Sequence, residues 1–194
     1  MRFHPKVVEI AGRIRDMSIR GAGKIARSAA ECLIIVARES RARSSGEFWR
    51  ELLETARYVN STRPTAVSLP NALRYVLLRV YKCYMDVMSV DDLRQQAILS
   101  AEEFIKNSIA AVDRIGEIGS RRISDGDVIL THCHSTAALS ILLHAHRQGK
   151  SFRVFSTETR PRFQGRITAR ILAENGIPVT LIVDSAARFV MDKV

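Results

Sequence analysis

The strongest constraint on the fold of this 194-residue chain is a change in hydrophobic pattern near residue 123. Before that point, apolar residues recur at three- and four-residue spacing, which is typical of amphipathic helices. After it, short apolar runs alternate with helical segments, which indicates strands joined by helices. The sequence therefore predicts an α/β protein with an all-helical N-terminal domain over residues 1–122 and a strand-containing domain over residues 123–194.

The N-terminal domain is expected to contain five helices. They are predicted at residues 5–19, 22–40, 46–60, 69–86 and 91–119. Pro64 and Pro70 mark the loop before the fourth helix. Asp91 or Asp92 is expected near the start of the fifth, where acidic residues favour a helix N-terminus.

The C-terminal domain is expected to alternate between strands and helices. Strands are predicted at 127–131, 152–156 and 179–184, and helices at 135–148 and 163–175, closed by Gly149 and Gly176. This alternation predicts a Rossmann-like parallel sheet, in which ligands bind beyond the carboxyl ends of the strands. Three strands make half of a doubly wound sheet, and residues 192–194 resemble the start of a fourth. We therefore expect a partial sheet in a truncated chain; a natural three-stranded domain with a frayed tail is the alternative.

The charge balance points to an anionic ligand. Lys and Arg number 30 and Asp and Glu number 20, so the formal net charge is +10. Such a charge favours nucleic acid, phosphate esters or anionic lipid as a partner. Nucleic acid is disfavoured, because one Trp and four Tyr provide no aromatic stripe for stacking on bases.

The cysteines and the N-terminus favour a cytoplasmic protein. Three widely spaced cysteines argue against a secreted disulfide scaffold and for a reducing compartment. The N-terminus is charged throughout and lacks the apolar core of a signal peptide. Residues 128–146 contain no Asp, Glu, Lys or Arg, but we interpret them as a buried strand and a core helix rather than as a membrane span.

The segment RGAGK, at residues 20–24, is a candidate phosphate site. Its glycines allow close approach of the backbone, and the free N–H groups at a helix start suit an anion. Its lysine is not followed by Ser or Thr, so the segment is not a Walker A loop. A helix-capping glycine loop is the alternative. The candidate contacts are Arg20, Gly21, Ala22 and Gly23.

Two Thr-Arg-Pro turns each place an arginine beside a rigid proline. Arg63 lies in the loop before the fourth predicted helix, and Arg160 follows the second predicted strand. A guanidinium held in this way can make a bidentate contact to an anion. The alternatives are a simple interhelical loop at Arg63 and a surface ion pair between Arg160 and Glu158.

The segment THCHS, at residues 131–135, places Cys133 at a predicted strand-to-helix turn. Ser135 is the predicted N-cap of the next helix, and helix N-termini favour the thiolate form of a nearby cysteine. The position suits a catalytic cysteine, or a phosphate bound by the N–H groups of Ser135, Thr136 and Ala137. Zinc binding with the two flanking histidines is disfavoured, because no CxxC or HExxH partner is present; a simply buried cysteine is a further alternative.

Two carboxylates follow the later strands. Glu158 lies in the second Thr-Arg-Pro turn, where a pair with Arg160 would keep it ionised. Asp184 ends the third strand and is expected to cap the helix that follows. They are the candidates within this chain for a second acid–base group.

Five motifs taken together resemble one superfamily. RGAG, TRPTAVSLPNA, THCHS, TETRPRFQG and VTLIVDSAA occur in this order and span the chain. The chain is similar to the superfamily of sugar-phosphate isomerases and translation initiation factor 2B α, β and δ subunits, with the nearest likeness to archaeal ribose-1,5-bisphosphate isomerases. Regulatory subunits of this superfamily generally lack the catalytic cysteine, which is present here as Cys133.

The resemblance implies an aldose–ketose conversion of ribose 1,5-bisphosphate to ribulose 1,5-bisphosphate in nucleotide salvage. It implies that Cys133 is a catalytic acid–base group, that residues 20–23, Arg63, Ser135 and Arg160 contact the ligand, and that no cofactor or metal takes part. It also implies AMP as an activator and a homo-oligomeric state. Because the family's partner aspartate, in a GAD motif, does not occur in this chain, we expect the chain alone to be inactive. A non-catalytic regulatory subunit that binds a nucleotide or a translation factor is the alternative.

Overall fold

A computed structural model describes residues 3–194 and divides into two compact units. Unit 1 extends to Ser108 and unit 2 runs from Ile109 to Val194. Unit 1 is helical, and unit 2 contains a three-stranded parallel sheet with helices between its strands. The predicted α/β fold class is confirmed. None of the described helices is long and apolar enough to cross a membrane.

The helices of unit 1 form where the periodicity predicts them. They are α1 (Pro5–Arg15), α2 (Ala22–Glu39), α3 (Ser45–Ser61), α4 (Ser68–Met85) and α5 (Val90–Ser120), the last of which continues into unit 2. At the start of α5, the Asp92 carboxylate accepts the Ser89 N–H while the Ser89 hydroxyl accepts the Asp92 N–H. This reciprocal pair satisfies two N–H groups near the helix start, as a capping box does.

The core of unit 1 is apolar and centres on α2, which packs against α1, α3 and α4. Leu33 of α2 is fully buried, together with Phe48 and Leu52 of α3 and Val76 of α4. Burial of such side chains contributes about 1.5–3 kcal/mol each. The apolar face of each helix therefore explains both its formation and its place in the unit.

One helix of unit 1 is shorter than predicted. The interval 5–19 was expected to be helical throughout, but α1 ends at Arg15. The Asp16 side chain accepts the Ser18 N–H at 2.8 Å, and Met17 has a left-handed backbone with φ of 65°. Asp competes with the helix for backbone N–H groups in this way, so the chain turns before Ile19.

The elements of unit 2 alternate as predicted. They are β1 (Val128–Thr131), α6 (Thr136–Arg147), β2 (Arg153–Thr157), α7 (Gln164–Glu174), β3 (Val179–Ile182) and α8 (Ala187–Val190). The strands are parallel in the order β1-β2-β3, with Ile129 opposite Val154 and Val154 opposite Val179. Gly149 and Gly176 end α6 and α7 with positive φ angles of 83° and 77°, which confirms the predicted caps.

The expectation of a fourth strand at residues 192–194 is wrong. Met191–Lys193 form a 3₁₀ turn that continues from α8, and the Val194 N–H donates to the Met191 carbonyl. The turn satisfies this N–H locally, whereas a strand would need a neighbouring strand for its backbone groups. The described sheet therefore has three strands.

Candidate functional site

The loops beyond the carboxyl ends of β1, β2 and β3 form a hydrogen-bonded polar cluster, referred to below as the strand-end cluster. Cys133 lies at the turn between β1 and α6 and has a left-handed backbone with φ of 68°. The Ser135 hydroxyl accepts the Ala138 N–H at 3.3 Å and so caps α6. Both the predicted turn and the predicted N-cap are confirmed. Thr136 and Ala137 form the first turn of α6, immediately after this cap.

Two threonine hydroxyls hold the backbone of Cys133. Its N–H donates to Thr159 Oγ1 at 2.8 Å, and its carbonyl accepts from Thr168 Oγ1 at 2.9 Å. Both threonines are buried. Because the Thr168 hydroxyl hydrogen is used in this bond, the 2.9 Å contact between His134 Nδ1 and Thr168 Oγ1 requires the histidine to donate.

Asp184 connects the end of β3 to the loop after β2. Its Oδ1 accepts the Thr159 N–H at 2.8 Å, and its Oδ2 accepts the Arg160 N–H at 2.7 Å. The N–H of Arg160 is the largest cause of a lowered pKa for the Asp184 carboxyl; desolvation opposes it, and the Thr159 N–H adds to it. The prediction that Asp184 caps the following helix is wrong, because no side chain caps that turn and the carboxylate is used across the strand ends.

Glu158 is buried and pairs with two arginines. Its Oε1 lies 3.3 Å from Arg160 Nε, and its Oε2 lies 3.0 Å from Arg166 Nη2. The Arg160 side chain remains 72% exposed, whereas that of Glu158 is 10% exposed. The ion pair named as an alternative thus forms, and it still leaves most of the Arg160 side chain accessible.

His132 lies at the same edge of the sheet. Its Nδ1 is 2.6 Å from Thr157 Oγ1 and 4.0 Å from Asp184 Oδ1, and its side chain is exposed. The Thr157 hydroxyl also contributes to the lowered pKa of Asp184. Asp184 therefore interacts with groups from the ends of both β1 and β2.

In unit 1, the RGAG segment opens α2. Gly21 precedes the helix with φ of 89°, and no side chain caps this end. The first backbone bond inside the helix runs from the Ile25 N–H to the Gly21 carbonyl, so Ala22 and Gly23 lie in an uncapped first turn. Arg20 is exposed, and within residues 3–194 no hydrogen bond or ion pair holds its side chain. An uncapped helix start beside a free guanidinium suits an anion.

Arg63 lies in the loop between α3 and α4, as predicted. The loop is closed by the Ala66 N–H, which donates to the Arg63 carbonyl, and by the Thr62 hydroxyl, which donates to the Val59 carbonyl. The Nη1 atom of Arg63 is buried and has no hydrogen-bond partner among the described residues. A buried donor without an acceptor is costly.

The sequence reasoning missed the buried polar groups that build the strand-end cluster. They are Thr157, Thr159 and Thr168, and the tightly packed Gly165 lies beside them. A Cβ atom at Gly165 would lie 1.7 Å from the Thr157 carbonyl oxygen, so α7 approaches β2 closely only because this residue is glycine. Polar residues at the end of an apolar strand run, followed by an isolated glycine, are the signal that could have identified them.

The structure brings predicted residues together in unit 2. In unit 2, Cys133, the start of α6 at Ser135 and Arg160 all belong to the strand-end cluster. In unit 1, the RGAG segment and Arg63 lie on separate loops, before α2 and after α3. Among the described residues, no group of three or more His, Cys, Asp or Glu side chains is placed to hold a metal ion.

Comparison with known proteins identifies similar sequences. The model of the initiation factor 2 subunit family matches residues 18–194. A ribose 1,5-bisphosphate isomerase from Pyrococcus furiosus is 56% identical over 186 residues, which cover 96% of this chain and 57% of that protein. The chain therefore spans little more than half the length of this curated relative.

Two solved structures show the same fold over most of the chain. The translation initiation factor eIF-2B of Pyrococcus horikoshii has a TM-score of 0.80 at 28% identity, covering 95% of this chain and 62% of that one. The 5-methylthioribose 1-phosphate isomerase of the same organism has a TM-score of 0.77 at 29% identity, covering 96% and 54%. The arrangement of helices and strands is thus shared with both an isomerase and an initiation factor.

Proposed function

Because the chain belongs to the initiation factor 2 subunit family, we propose that it carries the phosphate-binding elements and one acid–base group of an isomerase that converts ribose 1,5-bisphosphate to ribulose 1,5-bisphosphate. The observation that carries the proposal is Cys133 at a hydrogen-bonded strand-to-helix turn, in a chain 56% identical to a relative named for this substrate. A thiol at this position can donate and accept protons beside a helix N-terminus.

The reaction defines what Cys133 would do. An aldose–ketose conversion moves hydrogen between C1 and C2 of the opened sugar, which calls for two positioned acid–base groups. We assign one of these roles to Cys133. The two carboxylates that follow the neighbouring strands are both engaged, Glu158 by two guanidinium groups and Asp184 by two backbone N–H groups. Neither is free to exchange protons with a substrate, so we expect the chain alone to show no turnover.

The phosphate contacts are proposed separately for each unit. In unit 1 they are the uncapped start of α2, at Gly21, Ala22 and Gly23, with Arg20 and the buried donor of Arg63. In unit 2 they are the start of α6, at Ser135, Thr136 and Ala137, with the exposed guanidinium of Arg160. Each element offers N–H groups at a helix N-terminus together with arginine, a combination that binds phosphate.

A binding experiment tests the proposal. Ribulose 1,5-bisphosphate should stabilise the chain against thermal unfolding, by about 2.7 kcal/mol at 100 times its dissociation constant. Arg63→Gln should remove most of that stabilisation, whereas Arg57→Gln, a change at an exposed arginine of α3, should not. Absence of any stabilisation by the bisphosphate would contradict the proposal.

A turnover experiment separates the isomerase from a regulatory subunit. The likeness to an initiation factor supports the second candidate, a non-catalytic subunit that binds a nucleotide or a translation factor. The isomerase of Pyrococcus furiosus serves as the reference enzyme, and the residue in it that aligns with Cys133 is replaced by serine. Loss of turnover supports the catalytic role proposed for Cys133, and retained turnover would contradict it. We also propose that AMP activates the isomerase and that the isomerase assembles into a homo-oligomer. A turnover assay with and without AMP tests the first, and the molecular mass in solution tests the second.

A further inference from the structure

A chain of hydrogen bonds crosses all three strand ends and terminates at Cys133. Asp184, after β3, accepts the N–H groups of both Thr159 and Arg160. Thr159, after β2, accepts the Cys133 N–H through its hydroxyl oxygen. The Thr159 hydroxyl in turn donates to the Thr157 carbonyl at 3.3 Å, so its oxygen is directed toward Cys133.

Both linked residues have unusual backbones. Cys133 has φ of 68° and Thr159 has φ of 61°. A β-branched residue in the left-handed region is a true outlier, and such conformations persist only where the surroundings over-determine them. Around Thr159, the Asp184 carboxylate accepts two hydrogen bonds, one from the Thr159 N–H and one from the N–H of the next residue, Arg160. Around Cys133, the surroundings include the hydroxyls of Thr159 and Thr168.

We propose that Asp184 and Thr159 are positioning residues that fix the backbone of Cys133 and thereby the direction of its thiol. The proposal rests on the function proposed above, in which Cys133 is the acid–base group. The direction of a Cα–Cβ bond follows from the backbone angles of its residue, so a tether on the Cys133 N–H orients the thiol at the start of α6. Asp184 acts one step further away, because it holds the loop that carries Thr159.

Thiol alkylation in the full chain tests this positioning without requiring turnover. The rate at which iodoacetamide modifies Cys133 is measured against pH, with modified peptides identified by mass. Thr159→Val removes the hydroxyl and keeps the branched shape, and it should slow alkylation near neutral pH about fivefold, the size expected when one hydrogen bond is lost. The whole pH–rate profile should move to lower rates, because the thiol is less well placed at the helix start.

Conservative variants separate orientation from general damage. Thr159→Ser keeps the hydroxyl and should retain the wild-type profile, and Asp184→Asn should move the profile in the same direction as Thr159→Val. Asp192→Asn is the matched control, because this carboxylate is exposed and, among the described residues, forms an ion pair only with Arg188. If Thr159→Val fails to fold, Thr168→Val removes the other tether and carries the same expectation.

The outcomes distinguish this inference from the proposed function. Unchanged alkylation rates in folded Thr159→Val and Asp184→Asn would overturn the positioning role. Retained turnover after replacement of the residue that aligns with Cys133 in the Pyrococcus furiosus enzyme would overturn the function but leave the alkylation result intact.

Discussion

The two units bury different kinds of side chain. In unit 1, 25 buried apolar residues form one core, whereas the core of unit 2 has eight among the described residues. Unit 2 instead buries four consecutive polar residues, from Ser156 to Thr159, at the end of its central strand. Packing holds the helices of unit 1 in place, and directed hydrogen bonds hold the loops of unit 2. The comparison shows why candidate acid–base chemistry lies at the strand ends, where polar groups are fixed and still reachable.

The largest expected effect is the removal of a core side chain from unit 1. Phe48 is fully buried in α3, so Phe48→Ala should lower the free energy of unfolding by about 3–5 kcal/mol. Denaturant titration measures the change. Phe189→Ala in unit 2 is the matched control, because this ring is 76% exposed and its loss should cost about 0.5 kcal/mol or less. Similar losses for both variants would contradict the view that packing dominates in unit 1.

A pair of glycine substitutions applies the same comparison to the backbone. Gly165→Ala should destabilise the protein by about 1–3 kcal/mol, because its Cβ would overlap the Thr157 carbonyl oxygen of β2. Gly12→Ala in α1 meets no atom within 4 Å and should stabilise the protein by about 0.4–1 kcal/mol. Thermal unfolding measures both. A harmless Gly165→Ala would mean that α7 is free to move away from β2.

The helices and strands could be predicted because the spacing of apolar residues indicates which face of a segment is buried. The buried faces determine most of the secondary structure of both units. The exceptions have local causes. The Asp16 side chain takes a backbone N–H and ends α1 early, and a 3₁₀ turn at Met191 replaces a predicted strand. Each of these depends on one or two hydrogen bonds, which leave no periodic trace in the sequence.

The candidate site was only partly predictable, for a related reason. The turn at Cys133 follows from the end of the apolar strand run at Thr131, and the cap at Ser135 follows from the strong preference of serine for that position. The position of Asp184 across the strand ends does not follow from such local signals, because its partners, the N–H groups of Thr159 and Arg160, lie 25 and 24 residues earlier. A prediction made from neighbouring residues therefore assigned Asp184 to the helix that follows it. The parallel sheet instead brings the loop after β2 into hydrogen-bonding distance of Asp184.

The cysteines extend the comparison to reactivity. Cys32 is fully buried in the core of unit 1, where desolvation raises the pKa of its thiol to about 12. Cys133 is half-buried at the strand-end cluster. Because the thiolate is the reactive form, we expect alkylation of Cys133 to be at least about tenfold faster than that of Cys32 near neutral pH. Equal rates, or faster labelling of Cys32, would contradict this difference between the units.

The smallest expected effect is the pH dependence that Asp184 contributes. Backbone N–H groups hold its pKa below the ordinary value of 3.8, so the ionised carboxylate favours the folded state. A depressed pKa gives stability that is fully present above the unfolded value and is lost as pH falls through the folded value. The difference in unfolding free energy between wild type and Asp184→Asn should therefore be constant between about pH 5 and 7 and shrink below 3.8. Asp192→Asn, at an exposed side chain in unit 2, should show little difference at any pH. A wild-type advantage over Asp184→Asn that grew toward acid pH would mean that the carboxylate is not held in its charged form by the Thr159 and Arg160 N–H groups.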